Sequence, residues 1–329
     1  MTLSRTIFFS LALSVVMMGS CSSANRSANT ENAQNDTLTK VIDFNADSAY
    51  SYVKAQCDFG PRVPNTKAHS RTADYLIAKL KSFGANVIVQ DPELTAFDGT
   101  KIQAKNIIGE FGADKDKRIL LLAHWDSRPL ADADKDAKKI SQPVMGANDG
   151  ASGVGVLLEM ARLFSQKSPN IGVDILFVDA EDWGNSGASS DADDTWALGT
   201  QYWIKNMHHD GYKPLYGILL DMVGARGAQF AKEYFSVNYA SAIVDEVWNI
   251  AQQSGYGNYF IQANGGAITD DHVFVNKAGI PTIDIIHMDQ STGTGFFPQW
   301  HTTSDTMDQI DSSTLKAVGQ TLTNLIYQY

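Results

Sequence analysis

Six runs of strand length, "ANVIVQ", "AKNIIGEF", "RILLLAHWD", "VDILFVDAED", "YGILLDMV" and "IPTIDIIHM", recur along the chain, and their middles are almost continuously apolar. Between several of them lie segments of helical period: "HSRTADYLIAKLKSFG", "SGVGVLLEMARLFSQ", "YASAIVDEVWNIAQQSG" and "DDHVFVNKAG", with a last helix in "SSTLKAVGQTLTNLIYQY". A strand that is apolar at every position has no face to give to water. The alternation therefore predicts an α/β fold, a largely parallel sheet covered by helices on both sides. At 329 residues and 43% hydrophobic content the chain can bury one large core of this kind. In such sheets ligands bind beyond the carboxyl ends of the strands.

Polar residues collect at those ends. "ILFVDAEDWG" runs from strand into Asp179, Glu181 and Asp182; His124 and Asp126 follow "RILLLA"; Asp149 lies in "GANDGASG"; Asp221 ends "ILLD"; Asp270 and Asp271 open "DDHVF"; His301 closes "FFPQWH". Singly, each has a plain explanation as a turn residue, a helix cap or a loop histidine. Together, carboxylates converging on one sheet edge repel one another unless a cation or shared protons relieve the charge. Oxygen and imidazole ligands with no thiolate fit a catalytic Zn²⁺ that keeps an open coordination position. Two long polar loops, "DSRPLADADKDAKKISQPVMGANDG" and "WGNSGASSDADDTW", are placed to shape a binding site. Their acids, Asp132 to Asp136 and Asp191 to Asp194, lack a complete calcium-binding pattern and read as solvated.

The amino terminus reads differently. Residues 1–20 carry Arg5, an apolar run from Ile7 to Met18, then Gly19 and Ser20 before Cys21, which resembles a bacterial lipoprotein signal whose Cys21 becomes the lipidated first residue. Residues 21–40 are polar and suit a flexible tether, leaving 41–329 as a single catalytic domain. The expectation is an exported protein, lipid-anchored on the periplasmic side of a bacterial membrane. Cys57 is then the only other thiol, expected as a small core residue. A net charge of −11 argues against nucleic acid or anionic lipid as a target. No surface feature predicts an oligomer, and monomer is the default.

"FGPRVPNTKAHSRTADYL", "AHWDS", "GANDGASGVGVLLEMAR", "DAEDWG", "LLDMVG", "DDHVFVNKAGIP" and "FPQWHTTSDTMD" occur in an order that resembles the zinc aminopeptidase-like M28 family, and within it the glutaminyl cyclases, over about Asp43 to Tyr329. The resemblance implies a three-layer α/β/α sandwich around a mixed, mostly parallel twisted sheet. It implies one Zn²⁺ per chain, with Asp149, Asp182 and His301 matching the metal ligands. Glu181 matches the general acid/base, Asp221 and Asp270 two further acids of the cyclase site, and Trp300 a wall of the substrate pocket. Trp183, His124 and Asp126 are expected to line or support the site. Asp182 departs from the pattern, since the second acid of the pair is normally Glu, longer by one methylene or about 1.5 Å. The implied reaction converts the N-terminal glutamine of peptides and proteins to pyroglutamate with release of ammonia. Aminopeptidases of the same family hold a second zinc with residues matching His124 and Asp221, bridged by Asp149, so a dinuclear aminopeptidase is the alternative. A peptide-binding lipoprotein without activity is a third reading, because fold does not imply function.

Overall fold

The computed structural model describes residues 42–187 and 194–329. The signal segment, Cys21, the tether and the loop acids Asp191 and Asp193 lie outside the described residues. No helix among the described residues is long and apolar enough to cross a membrane.

The central sheet contains β1 (Asn86–Gln90), β4 (Asn106–Phe111), β5 (Arg118–His124), β6 (Gly172–Val178), β7 (Gly217–Asp221) and β10 (Thr282–Ile286), in the spatial order β1-β4-β6-β5-β7-β10. The four strands β6, β5, β7 and β10 run parallel, while β4 is antiparallel to both β1 and β6. All six runs expected from the sequence are present, in a mixed sheet. Two small pairs lie outside it: β2 (Glu93–Thr95) with β3 (Lys101–Gln103), and β8 (Phe230–Lys232) with β9 (Phe260–Asn264).

Side chains alternate across this sheet with the period of two that a strand imposes. Ile119, Leu121, Ile175, Phe177, Ile218 and Leu220 join one apolar cluster, whereas Leu120, Leu122, Leu176 and Leu219 join another on the opposite face. The first cluster is closed by α1 (Ala46–Cys57), α2 (Lys67–Ser82), α3 (Ala151–Gln166), α5 (Tyr234–Gln253) and α7 (Ser312–Tyr327). The second is closed by α4 (Leu198–Trp203) and α6 (Asp271–Lys277) through Trp203 and Val275. Cys57 is a free thiol in the first cluster.

Helix α3 explains why "SGVGV" carries its glycines. A Cβ on Gly153 would stand 2.3 Å from the Leu220 carbonyl oxygen of β7, and one on Gly155 2.5 Å from Val53 of α1. The helix therefore lies directly on backbone on one side and on α1 on the other. The obstacle at Gly153 is main chain and cannot rotate away. Gly153→Ala is expected to destabilise the fold by about 1–3 kcal/mol through overpacking, read as a lower urea midpoint with an unchanged slope; a midpoint equal to wild type refutes this account of the contact.

Candidate active site

The carboxyl ends of the parallel strands deliver the polar residues to one place. His124 is the last residue of β5, Asp221 the last of β7, and Glu181 and Asp182 follow β6 by three and four positions. Asp149 precedes α3 by one turn residue, Gly150, and Asp270 is the N-cap of α6. Ala180, Met222 and His301 hold left-handed backbone, with φ of 52°, 49° and 52°. Such conformations are costly for residues with a Cβ and concentrate where a site dictates the chain path.

Asp126 works on the main chain. Its two carboxylate oxygens accept the backbone N–H of Glu181 (3.2 Å) and of Asp182 (3.1 Å), fixing both acids after the turn at Ala180. Asp305, which no local pattern singles out, does the same for the opposite wall by accepting from the N–H of Asn148 (2.8 Å) and Asp149 (3.0 Å). Arg62 is fully buried and donates to the carbonyls of Trp125, Met145 and Gly146, pinning the turn that carries Asp149 to the end of β5.

Two ligand groups share Asp149. In the first, Asp149, Asp182 and His301 bring one donor atom each within 4.8 Å of one another, and in the second His124, Asp149 and Asp221 do so. His301 Nε2 lies 3.0 Å from Asp182 Oδ1 and 3.8 Å from Asp149 Oδ2; His124 Nε2 lies 3.0 Å from Asp149 Oδ1 and 3.2 Å from Asp221 Oδ1. Asp149 Oδ2 and both oxygens of Asp182 are buried without a hydrogen-bond donor. Buried carboxylate oxygens left without donors are costly, and two of them beside an imidazole form the donor set of a zinc site with room for an exogenous ligand. The residues present fit the ion. The shorter Asp182 still joins this group, its main chain brought in by Asp126.

A third group, Glu110, His208 and His209, stands at the amino end of β6, away from the cleft. The Trp203 indole donates to His208 Nδ1, which places the proton of the neutral ring on Nε2 and leaves no lone pair there for an ion.

The acids are held in unequal states. Burial pushes the Glu181 carboxyl well above the usual carboxylate range, and the neighbouring charges of Asp270, Asp182 and Asp271 add to this against the opposing His124. Burial likewise raises Asp270, and raises Asp221 to about 7 against the hydrogen bond from His124. Asp149 ends below the ordinary value, because contact with His124 and the nearby His301 outweighs its burial. Burial and mutual repulsion thus bias Glu181, Asp270 and Asp221 upward while His124 and His301 bias Asp149 toward its ionised form, a set of acids that can share protons.

The cleft encloses about 430 Å³. Glu181, Asp221 and Asp270 line it beside Asp149, Asp182 and His301, and Trp300 stacks on His301 with ring centroids 3.6 Å apart. Two expectations change. Trp183 is not among the lining residues; it packs with Ala96, Ile102 and Ala180, and its indole donates to Asp98 at 3.4 Å. Trp196 lines the cleft instead, its ring 6.0 Å from that of His301, and a Cβ on Gly184 would collide with it at 1.9 Å. Asp132 is not a solvated loop acid: its side chain is 21% exposed and meets both Arg128 and His301.

The comparisons with known proteins give the family and the fold. Residues 106–326 match peptidase family M28. The chain belongs to that family. Among solved structures, a Zn-dependent exopeptidase from Parabacteroides distasonis is 55% identical, covering 88% of this chain and 100% of that one with a TM-score of 0.86. A Bacteroides thetaiotaomicron glutaminyl cyclase bound to N-acetylhistamine is 53% identical, covering 88% and 99% with a TM-score of 0.85. Among characterised relatives, the glutaminyl-peptide cyclotransferase of Drosophila melanogaster is 24% identical over 284 residues, 77% of this chain and 73% of that protein. In M28 terms the described domain has the mixed-sheet fold of zinc exopeptidases, and its candidate ligands and acids meet in one cleft.

Proposed function

We propose that this chain is a zinc-dependent glutaminyl-peptide cyclotransferase with one ion held by Asp149, Asp182 and His301. The observation that carries the reading is Asp270. It stands in the same cleft as Glu181 and Asp221, so three buried carboxylates outside the zinc-ligand group can hold and pass protons. Activating a water for peptide hydrolysis has no evident need of that third acid.

A zinc ion at this donor set would act as a Lewis acid on the side-chain amide carbonyl of the substrate. The remaining chemistry belongs to the chain. Trp196 and Trp300 both line the cleft and both stack against His301, and the acidic lining favours the α-ammonium of an N-terminus. Glu181 takes a proton from that ammonium. The freed amine attacks the side-chain carboxamide carbon, the new C–N bond closes a five-membered ring, and Glu181 returns the proton to the departing amide nitrogen as its C–N bond breaks. The second proton of the ring nitrogen passes to the released ammonia, so pyroglutamate and ammonium result. Nucleophile and electrophile belong to one residue, so binding only has to select the folded rotamer.

A second reading, a dinuclear aminopeptidase, is favoured by the His124–Asp149–Asp221 group. One experiment separates them: metal-replete protein is given a glutamine-led peptide, and ammonia, free amino acid and zinc per chain are measured together. Ammonia release with one zinc is the expected outcome. Release of the N-terminal amino acid with two zincs and no ammonia rejects the cyclase. Localisation belongs to the same proposal: the lipoprotein-like segment ending at Cys21 supports an exported protein anchored by lipid on the periplasmic side, acting on exported proteins that expose glutamine. Release of the protein from membranes by Cys21→Ser tests the anchor.

A further inference from the structure

One buried carboxylate outside the cleft holds both ends of the segment that carries Asp270. Glu233 is the N-cap of α5 and is completely buried. Its Oε1 accepts from the N–H of Phe235 at 2.9 Å and of Ile268 at 3.1 Å. Its Oε2 accepts from the N–H of Ser236 at 2.6 Å and the Ser236 hydroxyl at 2.8 Å, and faces His272 Nε2 at 3.1 Å. Ile268 lies two residues before Asp270 and His272 two residues after it. The two oxygens therefore bracket Asp270 in the chain.

A helix cap needs only the donors of its own first turn. Phe235 and Ser236 supply those, whereas Ile268 and His272 belong to the cleft wall and to α6. Nothing about capping α5 requires them. The adjoining strand joins the same seam, since the N–H of Gly265 reaches the Lys232 carbonyl at 2.7 Å and that of Tyr234 reaches Gly266 at 3.0 Å. Asp270 spends Oδ1 on the N–H of Asp271 at 2.5 Å, which leaves its buried Oδ2 without a donor. The aim of that oxygen is set by where the segment from Ile268 to His272 is held.

We propose that Glu233 is a positioning residue for the reaction: by gripping Ile268 and His272 at once it fixes the Asp270 carboxylate against the substrate. The proposal rests on the cyclase reading above. The other groups facing His272 and Asp270 are Asp284 of β10, whose Oδ2 is 3.7 Å from His272 Nδ1, together with Asp271, Asp221, Asp149, Glu181 and His124. None of them reaches both ends of the segment. Glu233 is held below the usual carboxylate range, because His272 and the surrounding N–H donors outweigh its burial. It is thus a charged acceptor, and an amide in its place would turn an NH₂ group toward donors.

The test compares Glu233→Gln with Ser236→Ala in the full, zinc-loaded chain, reading kcat, KM, melting midpoint and zinc content. Glu233→Gln weakens the α5 cap, and Ser236→Ala keeps the cap's backbone donors but removes a hydroxyl that donates to Glu233 and accepts from the N–H of Asp284, so both should lower the midpoint. Only Glu233→Gln is expected to lower kcat, by about 10–100-fold as for a small displacement of a reacting group, with KM and zinc content close to wild type. His272→Gln cuts one grip and leaves the other, so an intermediate fall in kcat is expected; it also serves if Glu233→Gln does not fold. A folded, zinc-loaded Glu233→Gln or His272→Gln with wild-type kcat overturns the proposal, as does a fall in kcat for Ser236→Ala equal to that of Glu233→Gln. Wild-type protein that releases no ammonia removes the cyclase reading itself, whereas active wild type with unaffected variants removes only this inference.

Discussion

Glu181→Gln should extinguish cyclisation while leaving zinc in place, with kcat lower by roughly 10²–10⁴-fold, the range lost with a general acid/base. Glutamine keeps the shape and the buried position of the side chain but cannot exchange a proton at neutral pH. Glu181 lies outside the Asp149–Asp182–His301 group, and the backbone N–H that orients it is bonded to Asp126, so the substitution leaves the ligand frame intact. Asp182→Asn provides the contrast. It weakens a ligand that has both oxygens buried without donors, and it should lower zinc content and activity together. Ammonia release and elemental zinc are measured on the same samples. Glu181→Gln retaining turnover within a few-fold of wild type removes the proton-transfer role, and loss of zinc from Glu181→Gln shows that the ligand assignment is wrong.

The strands of the central sheet were legible because burial on both faces leaves a near-continuous apolar signature, as in "RILLLA". Strands β2, β3, β8 and β9 were not. They are three to five residues long, and β2, β3 and β9 are partly exposed, so their composition resembles that of loops. Helix α1 also escaped, because its buried face consists of Ala49, Val53, Gln56 and Cys57, too small and mixed a set to show a helical period. Helix α4 is only six residues long and begins after Ala197 in left-handed backbone.

Within the cleft, residues at strand ends could be read because position along the chain gives position in space. Residues acting across long separations left no local signal. Asp305 supports a turn 156 and 157 residues earlier, and Glu233 reaches Ile268 and His272 across 35 and 39 positions. Trp183 follows two candidate acids in sequence yet donates to Asp98, whereas Trp196, farther along the chain, lines the cleft.

Asp132 is the case in which composition misleads most, and it carries a large expected effect. It sits in "ADADKD", which has the character of a solvated acidic run. Arg128, one helical turn's worth of residues earlier, reaches back to it with Nη2 at 2.6 Å and Nε at 3.3 Å, and Ser186 also donates to it. The same guanidinium sends Nη1 to the carbonyls of Asp182 (2.9 Å) and Gly184 (2.8 Å) and lies 4.8 Å from the centre of the Trp196 ring. Asp132 Oδ1 in turn stands 3.2 Å from His301 Nδ1. The Arg128–Asp132 pair thus ties the main chain of one proposed ligand, Asp182, to the ring of another, His301. A carboxylate at the far nitrogen of a ligating histidine fixes the tautomer that leaves Nε2 free and makes the ring more basic, and losing it typically costs 10–100-fold in metal affinity or activity. Asp132→Ala is therefore expected to weaken zinc binding by about 10–100-fold, measured by competition with a chelating indicator, and to recover most of its kcat when zinc is raised to saturation. That recovery separates a support of the ligand from a group in the reaction. If Asp132→Ala holds zinc as tightly as wild type, the pair only organises the loop; if saturating zinc leaves kcat depressed, Asp132 acts on the substrate side of the cleft.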